Sequence, residues 1–528
     1  MTVTAIQMEL SNPEKKIQAA RFFWFFAFSW LVIWIFLPMA MLPAPSNYDV
    51  IEQLIVGKEW VLGSIHHPPL PFWFQESVFQ LCGQRVWASY VCGALASLFG
   101  LWAVWRLSRY YVSETLALLV VLSSAAYRYF NMGNTNFTSS VPPTVLWCVG
   151  IYFFFLALKF NRPRDWFLLG LILGAGMMSK FTVGILVVTM IAWLCWDRDS
   201  RHFWRKPGPW LTTCTALLVF LPHLCWMIYY DFPTIHYASA ALSGGHTSFW
   251  DNLLTPLRFL GTQFFLLLPV VIASIPVYGC AWQIRHRKLE PSAPDYEDDR
   301  FRRRFLAFMI FVPVVLFLVI FTCCAGGRMR PAYGNVLWTL FPLWYFQFFK
   351  PLRPDRLKPA FGLAFAVLLI TVVSFWADHQ FFYLLSKDPS HAHFPGKALA
   401  VELDRVWQEN GGQTPCPLMS GNWRLAGSAA IYMKGRPSVL LYYDGLGPEG
   451  RMHGFWATDE DLNQKGGLIV WKEGEGEGPN DVPAYVAERY PRAVPAPETI
   501  SVPWNTKVRL EPLHVRYAIV LPESKRGQ

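Results

Sequence analysis

Residues 22–41 read FFWFFAFSWLVIWIFLPMAM, twenty positions without a charge. In a helix rising 1.5 Å per residue this is about 30 Å, the hydrocarbon thickness of a bilayer. The preceding MTVTAIQMELSNPEKKIQAAR lacks the short hydrophobic core and small-residue cleavage site of a removable signal, so the run is expected to remain as an anchor. Similar apolar runs recur at about 86–105, 112–127, 141–158, 166–178, 181–195, 210–229, 253–280, 305–323, 331–349 and 359–376. With 53% hydrophobic and 16% charged residues in 528 positions, the chain falls in the polytopic membrane class. The pattern predicts about 11 transmembrane helices, and the 17% of Phe, Trp and Tyr suits a protein with many headgroup-level rings.

The formal charge of +10 is uneven. Residues 377–528 carry 16 Lys or Arg and 18 Asp or Glu, a net of −2, which leaves +12 for the first 376. That excess reads as a topology signal, because nucleic-acid binding would call for a basic patch on a soluble face. If all eleven runs cross, alternate connections hold Lys15 and Lys16, Arg106 and Arg109, Lys159 to Arg164, Arg198 to Lys206, Arg285 to Arg304 and Lys350 to Lys358. These are assigned to the cytoplasm. The intervening connections hold few basic residues, among them Lys58, Arg85, Arg128, Lys180, Arg328 and Arg330, and are assigned to the outer side. The expected division is a cytoplasmic N-terminus over 1–20, a membrane domain over 21–376 with an outer loop at 43–84, and a periplasmic α/β domain over 377–528.

The outer loop is unusually polar. Residues 45–74 read PSNYDVIEQLIVGKEWVLGSIHHPPLPFWF. Tyr48, Ile51, Leu54 and Ile55 share one helical face, which predicts a short amphipathic helix over 49–57 on the membrane surface, ended by Gly57 and Gly63. The apolar piece at 69–81 is about a dozen residues long and carries Glu76, so it predicts an interfacial or dipping helix rather than a span. After about Lys387 the pattern becomes that of a small α/β domain. Strands are expected in TPCPLMS, PSVLLYY, GGLIVWK and RYAIVLP, with helices at 395–409, 422–433 and 480–489. Nine of ten cysteines fall in or beside apolar runs and only Cys416 lies in the tail, which excludes a disulfide within that domain; no CxxC spacing marks a metal or redox site.

The candidate site residues each carry two readings. Asp49 and Glu52 have the spacing of a capping box, with Asp49 accepting from orphan helix amides; a capping carboxylate also keeps a free edge for chemistry. His66 and His67 precede Pro68-Pro69, which imposes extended backbone, and they suit hydrogen bonding to a polar substrate better than a metal, for which no complete ligand set accompanies them. Lys180 in GMMSKFTVG either snorkels at the membrane boundary or pairs with a lipid-borne phosphate. Arg328 and Arg330 in GGRMRPAYGN either anchor a loop or clamp an anion, for which planar guanidinium donors are suited. Tyr48 and Glu52 stand as supporting residues.

The register of Asp49 followed eighteen residues later by His67-Pro68-Pro69-Leu70 resembles the first outer loop of bacterial membrane glycosyltransferases of the protein O-mannosyltransferase-like family, which includes the enzymes that place aminoarabinose or galacturonic acid on lipid A. Weaker similarity lies in GLILGAGMMSKFTVGIL at 170–186, in RMRPAYGNVLWTLFPLW at 328–344 and in the tail fragment SGNWRLAGSAAIYMKGRPSV. The resemblance implies a GT-C-type all-α membrane fold, a polyprenyl-phosphate-linked sugar donor, a lipid A, other envelope glycan or protein hydroxyl as acceptor, and catalysis at the periplasmic face of the inner membrane. It implies Asp49 as general base or acceptor-orienting group, and Lys180 with the arginines near the donor phosphate. Many relatives have Asp-Glu where this chain has Asp49-Val50, and Asp-His where it has His66-His67, which leaves a divalent metal open. Two readings from other classes stand beside it. A transporter would carry mid-membrane ionisable residues and internal repeats, neither of which is evident here, and a receptor or assembly scaffold would use the tail as its binding module.

Overall fold

The computed structural model describes residues 13–525 apart from 243–248, 279–284, 287–295, 325–330, 351–355, 383, 385–389, 411–413, 445–450, 454, 477–480 and 509. The chain forms two compact units. One comprises 1–37 and 90–376; the other joins 38–89 to 377–528.

Among the described residues, seven helices are long and apolar enough to cross a membrane: Pro13–Met41, Ala88–Ser108, Val141–Phe160, Pro207–Tyr229, Leu254–Val277, Glu297–Ile320 and Leu357–Phe381. The expectation of about eleven is corrected to seven. The runs at 112–127, 166–178 and 181–195 form helices of only 12, 15 and 14 residues, Glu114–Ala125, Pro163–Met177 and Val183–Trp196. The longest of these reaches about 22 Å, short of a ~30 Å core. The run at 331–349 breaks into the 3₁₀ turn Pro331–Gly334 and the eight-residue helix Phe341–Phe348. Two of these pieces, at 112–127 and 331–349, are apolar because they are buried in protein. Ten of the twelve residues of Glu114–Ala125 are buried, as are Val336, Leu337, Leu340 and Leu343.

The Gly-rich run at 170–186 has a packing explanation. A Cβ on Gly170 would lie 2.7 Å from Thr212 O, and one on Gly174 would lie 2.7 Å from Val219 Cβ and 2.8 Å from Ala216 O. Glycine at i and i+4 thus lets Pro163–Met177 press against Pro207–Tyr229, as small residues do between membrane helices.

The second unit is built on a six-stranded mixed sheet. Leu418–Gly421 runs parallel to Ser438–Val439 on one side and to Gly467–Lys472 on the other. Gly467–Lys472 pairs antiparallel with Leu513–Val520, which also takes Val494–Pro495 and Ile500–Val502. Five consecutive residues of Gly467–Lys472 are buried, as in a strand covered on both faces. Asp459–Lys465 and Ala484–Arg489 cover one face through Leu462, Val486 and Tyr490. The other face is covered by Gly396–Asn410 and Trp423–Ala430 together with the loop helices Tyr48–Lys58 and Leu70–Leu81. The three tail helices read from the sequence all form.

The loop helices correct another expectation. In Tyr48–Lys58, all eight residues Val50–Gly57 are buried, so the helix is a core element of this unit rather than one lying on a membrane surface. Ile51 and Ile55 nest against Gly427, where a Cβ would meet Ile55 Cδ1 at 2.3 Å and Ile51 Cγ2 at 3.0 Å. Gly57 does not end the helix. It lies within it, and its missing Cβ admits Phe72 O, which a Cβ would meet at 2.7 Å.

Candidate functional site

The N-terminus of Tyr48–Lys58 is capped by Asn47, whose Oδ1 accepts from the Asp49 amide at 2.9 Å. Asp49 is therefore inside the first turn, and the expected capping box between Asp49 and Glu52 does not form. The Asp49 side chain is exposed at the positive end of the helix dipole, a favourable place for a carboxylate. Glu52, only 7% exposed, instead meets His66, with Oε1 and Nδ1 2.7 Å apart. Burial lowers the affinity of His66 for a proton, but the charge and hydrogen bond of Glu52, aided by Asp49, outweigh it and raise the pKa above the ordinary imidazole value.

His67 is fixed by its backbone. Its N–H donates to Ser64 Oγ at 3.1 Å, and its carbonyl accepts from the Ser64 N–H at 3.1 Å and from Ser64 Oγ at 3.2 Å. The His66 and His67 rings are 6.1 Å apart, so Pro68-Pro69 does not bring them onto a common point. Tyr48 lies between groups from the tail: its ring centroid is 3.9 Å from that of His391 and 6.2 Å from that of Trp423. Burial raises the Tyr48 pKa against the opposing charge of Arg424, which keeps the phenol protonated.

A buried ion pair holds this arrangement, and sequence reasoning missed it. Arg436 donates from Nη1 to Glu76 Oε1 at 2.6 Å and from Nη2 to Glu76 Oε2 at 3.0 Å. The same Nη2 is 3.0 Å from Leu54 O, and the guanidinium lies 4.6 Å from the Phe79 ring centre. The side chains are 8% and 1% exposed. Arg436 thus ties the helix bearing Asp49 to the helix bearing Glu76. Lys58 Nζ donates to Arg436 O, and Ser438 Oγ donates to Glu59 Oε1 at 2.8 Å. The one signal available in the sequence was a carboxylate at position 76 inside an otherwise apolar dozen.

Lys180 belongs to the other unit. Its Nζ donates to Ser140 Oγ at 2.9 Å, while Asn335 Nδ2 donates to Ser140 O at 2.7 Å. Tyr127 Oη is 3.4 Å from the Gly334 and Asn335 carbonyls. The lysine is thus held by a hydroxyl at the start of Val141–Phe160, beside the segment that follows the two arginines in the chain. Arg328 and Arg330 lie outside the described residues. Among the described residues, no three His, Cys, Asp or Glu side chains gather as a metal-ligand set.

The architecture, a polytopic helical domain with a small C-terminal domain, is similar in fold to solved bacterial membrane proteins. The apo crystal structure of ArnT from Cupriavidus metallidurans superposes with a TM-score of 0.59 at 14% identity, covering 96% of this chain and 98% of that one. The structure of the same protein bound to undecaprenyl phosphate gives 0.56 at 13% identity, covering 94% and 97%. Residues 66–226 match the family of dolichyl-phosphate-mannose-protein mannosyltransferases. The lipopolysaccharide core galacturonosyltransferase RgtB of Rhizobium johnstonii is 24% identical over 478 residues, or 87% of this chain and 89% of the relative.

Proposed function

We propose that this chain transfers a sugar from a polyprenyl-phosphate donor to a hydroxyl of an envelope glycan, lipopolysaccharide being the favoured acceptor, with inversion at the anomeric carbon. The observation that carries the reading is the match to ArnT along almost the whole of both chains, combined with an exposed carboxylate, Asp49, at the first turn of a rigidly held outer-loop helix. Asp49 takes the proton of the acceptor hydroxyl. The oxygen bonds to the anomeric carbon as the bond from that carbon to the phosphate oxygen breaks, and the polyprenyl phosphate leaves with the electron pair. Lys180 stabilises the charge that gathers on the departing phosphate, with Arg328 and Arg330 as further cations of the same kind. Glu52, His66 and His67 shape the loop, and Tyr48 forms part of its wall.

The orientation follows from charge and from the shared core of loop and tail. Lys15 and Lys16 hold the end before the first span in the cytoplasm. The connection bearing Asp49 follows that span and faces the periplasm. The tail lies on the same side, because the loop and the tail share one core. The test compares mass profiles of lipopolysaccharide and glycoproteins from inner-membrane-competent cells with and without the gene. Loss of one sugar mass from an envelope glycan supports the reading. Unchanged profiles, together with purified protein that does not bind undecaprenyl phosphate, overturn it.

A further inference from the structure

Around Tyr48, the residue before Asp49, lies a second constellation that the transfer reaction as described does not use. Trp423 and Arg424 open the helix Trp423–Ala430, and Asn422 caps it by accepting from the Arg424 amide at 3.2 Å and the Leu425 amide at 3.4 Å. The Arg424 guanidinium carbon lies 4.9 Å from the centre of the Tyr48 ring and 5.7 Å from that of Trp423. A guanidinium laid over aromatic faces keeps its in-plane N–H donors directed away from them. Other tail arginines spend those donors within the domain: Arg405 on Glu402 and Glu409, Arg436 on Glu76, Arg489 on Asp459, and Arg516 on Pro497 O and Thr499 Oγ1. Arg424 has no such partner among the described residues and is exposed. The nearby Glu475 is taken up by Asn422 Nδ2 at 2.9 Å and the Lys472 amide at 3.3 Å. On the Tyr48 ring also rests the exposed imidazole of His391, which burial and the charge of Arg424 keep below the usual histidine pKa. It is thus neutral near pH 7, able to donate to one hydroxyl and accept from another.

We propose that Arg424, braced by Tyr48 and Trp423 and flanked by His391, is the acceptor subsite, and that it takes the carboxylate or phosphate of an anionic saccharide whose hydroxyl is presented to Asp49. The proposal rests on the transferase reading and adds the chemical class of the acceptor. Three features support this assignment. A braced guanidinium forms two parallel charge-assisted bonds to a carboxylate or phosphate. The half-buried Trp423 offers an apolar edge to a sugar ring. Asp49 follows Tyr48 in the chain, and successive Cα atoms are about 3.8 Å apart, so the reacting carboxylate is carried by the residue next to the one that braces Arg424.

The test uses the full-length protein in nanodiscs of zwitterionic lipid. Binding of trigalacturonic acid is compared with its fully methyl-esterified form, which keeps the hydroxyls and ring but lacks the charge. Undecaprenyl phosphate binding is measured separately. The wild type is expected to bind the acid at least tenfold more tightly than the ester. Arg424→Gln removes that preference, Arg424→Lys keeps part of it, and Trp423→Ala weakens both sugars alike. Undecaprenyl phosphate binds all four proteins equally. Equal binding of acid and ester by the wild type, or an undiminished preference in Arg424→Gln, overturns the proposal. So does loss of undecaprenyl phosphate binding in Arg424→Gln, which would place the arginine on the donor. Acid-selective binding by a protein that does not bind undecaprenyl phosphate would instead sink the transferase reading and leave an anionic-sugar site standing.

Discussion

Replacing Arg436 by Met removes the cation from a buried pair and leaves the Glu76 carboxylate, 1% exposed, without its partner. Two hydrogen bonds to that carboxylate and one to Leu54 O disappear together. Breaking a buried pair from one side costs about 3–5 kcal/mol, because the remaining charge stays desolvated. At 1.36 kcal/mol per power of ten, local opening of the unit that joins 38–89 to 377–528 should become more frequent by about two to nearly four powers of ten. The assay is amide hydrogen exchange over Tyr48–Lys58 and Leu70–Leu81, the two helices that Arg436 bridges. The double replacement Arg436→Met with Glu76→Met should recover most of the lost protection, since an apolar pair of similar size is often neutral relative to a buried ion pair. Loss of less than about 1 kcal/mol in the single variant, the range of exposed pairs, would refute the reasoning. Equal damage in single and double variants would do the same.

Glycine contacts give a matched contrast. Gly57→Ala drives a Cβ to 2.7 Å from the Phe72 carbonyl, backbone that cannot swing away, and should cost about 1–3 kcal/mol in thermal denaturation. Gly427→Ala meets the terminal methyl of Ile55, which can rotate, and should cost under about 1 kcal/mol because alanine restores about that much helix propensity; a larger loss at 427 than at 57 contradicts the packing. The His66–Glu52 pair sets a pH dependence. With the folded-state pKa of His66 raised, its contribution is fully present below the unfolded value of about 6.5 and is lost as pH rises through the higher folded value. His66→Gln should flatten that decline in stability measured from pH 5.5 to 9, and an identical slope in the variant would contradict the pairing. For Lys180, replacement by Met should lower transfer by about 10²–10³-fold, the scale of one lost charge-stabilising donor. Ser140→Ala removes a hydroxyl partner of that lysine and should cost about tenfold or less; losses of equal size would mean that Lys180 acts only by bracing its loop.

Legibility in the sequence followed the range of the forces involved. The run at 22–41 announced a span because its length and its lack of charge are local properties, and the apolar run in Gly467–Lys472 announced a strand because it too is local. The pieces at 112–127 and 331–349 misled because hydropathy does not distinguish lipid-facing residues from residues buried in protein, and those at 166–178 and 181–195 because their helices stop at 15 and 14 residues. Val120, Val121 and Leu122 are as apolar as any membrane residue, yet they are enclosed by the fold. Tyr48–Lys58 showed the same confusion at smaller scale. Its apolar stripe is real, but helix Trp423–Ala430, more than 360 positions away, covers it. Cap geometry turned on one residue: Asn47 competes with Asp49 for the role of N-cap, and spacing to Glu52 favoured the wrong one. The Glu76–Arg436 pair was invisible because 360 residues separate its members, and no periodicity reaches that far. Arg424 lay within a fragment singled out for its resemblance, but its stacking on Tyr48 exists only after the loop and the tail fold together.

The central claim is that Asp49 activates the acceptor. Its most direct measurement is single-turnover transfer by purified Asp49→Asn in nanodiscs, using the sugar donor and acceptor found from the mass profiles, with undecaprenyl phosphate binding measured in the same preparation. The account predicts a loss of about 10²–10⁴-fold, the usual contribution of a general base, with lipid-phosphate binding unchanged. A variant that transfers within tenfold of the wild type would contradict it.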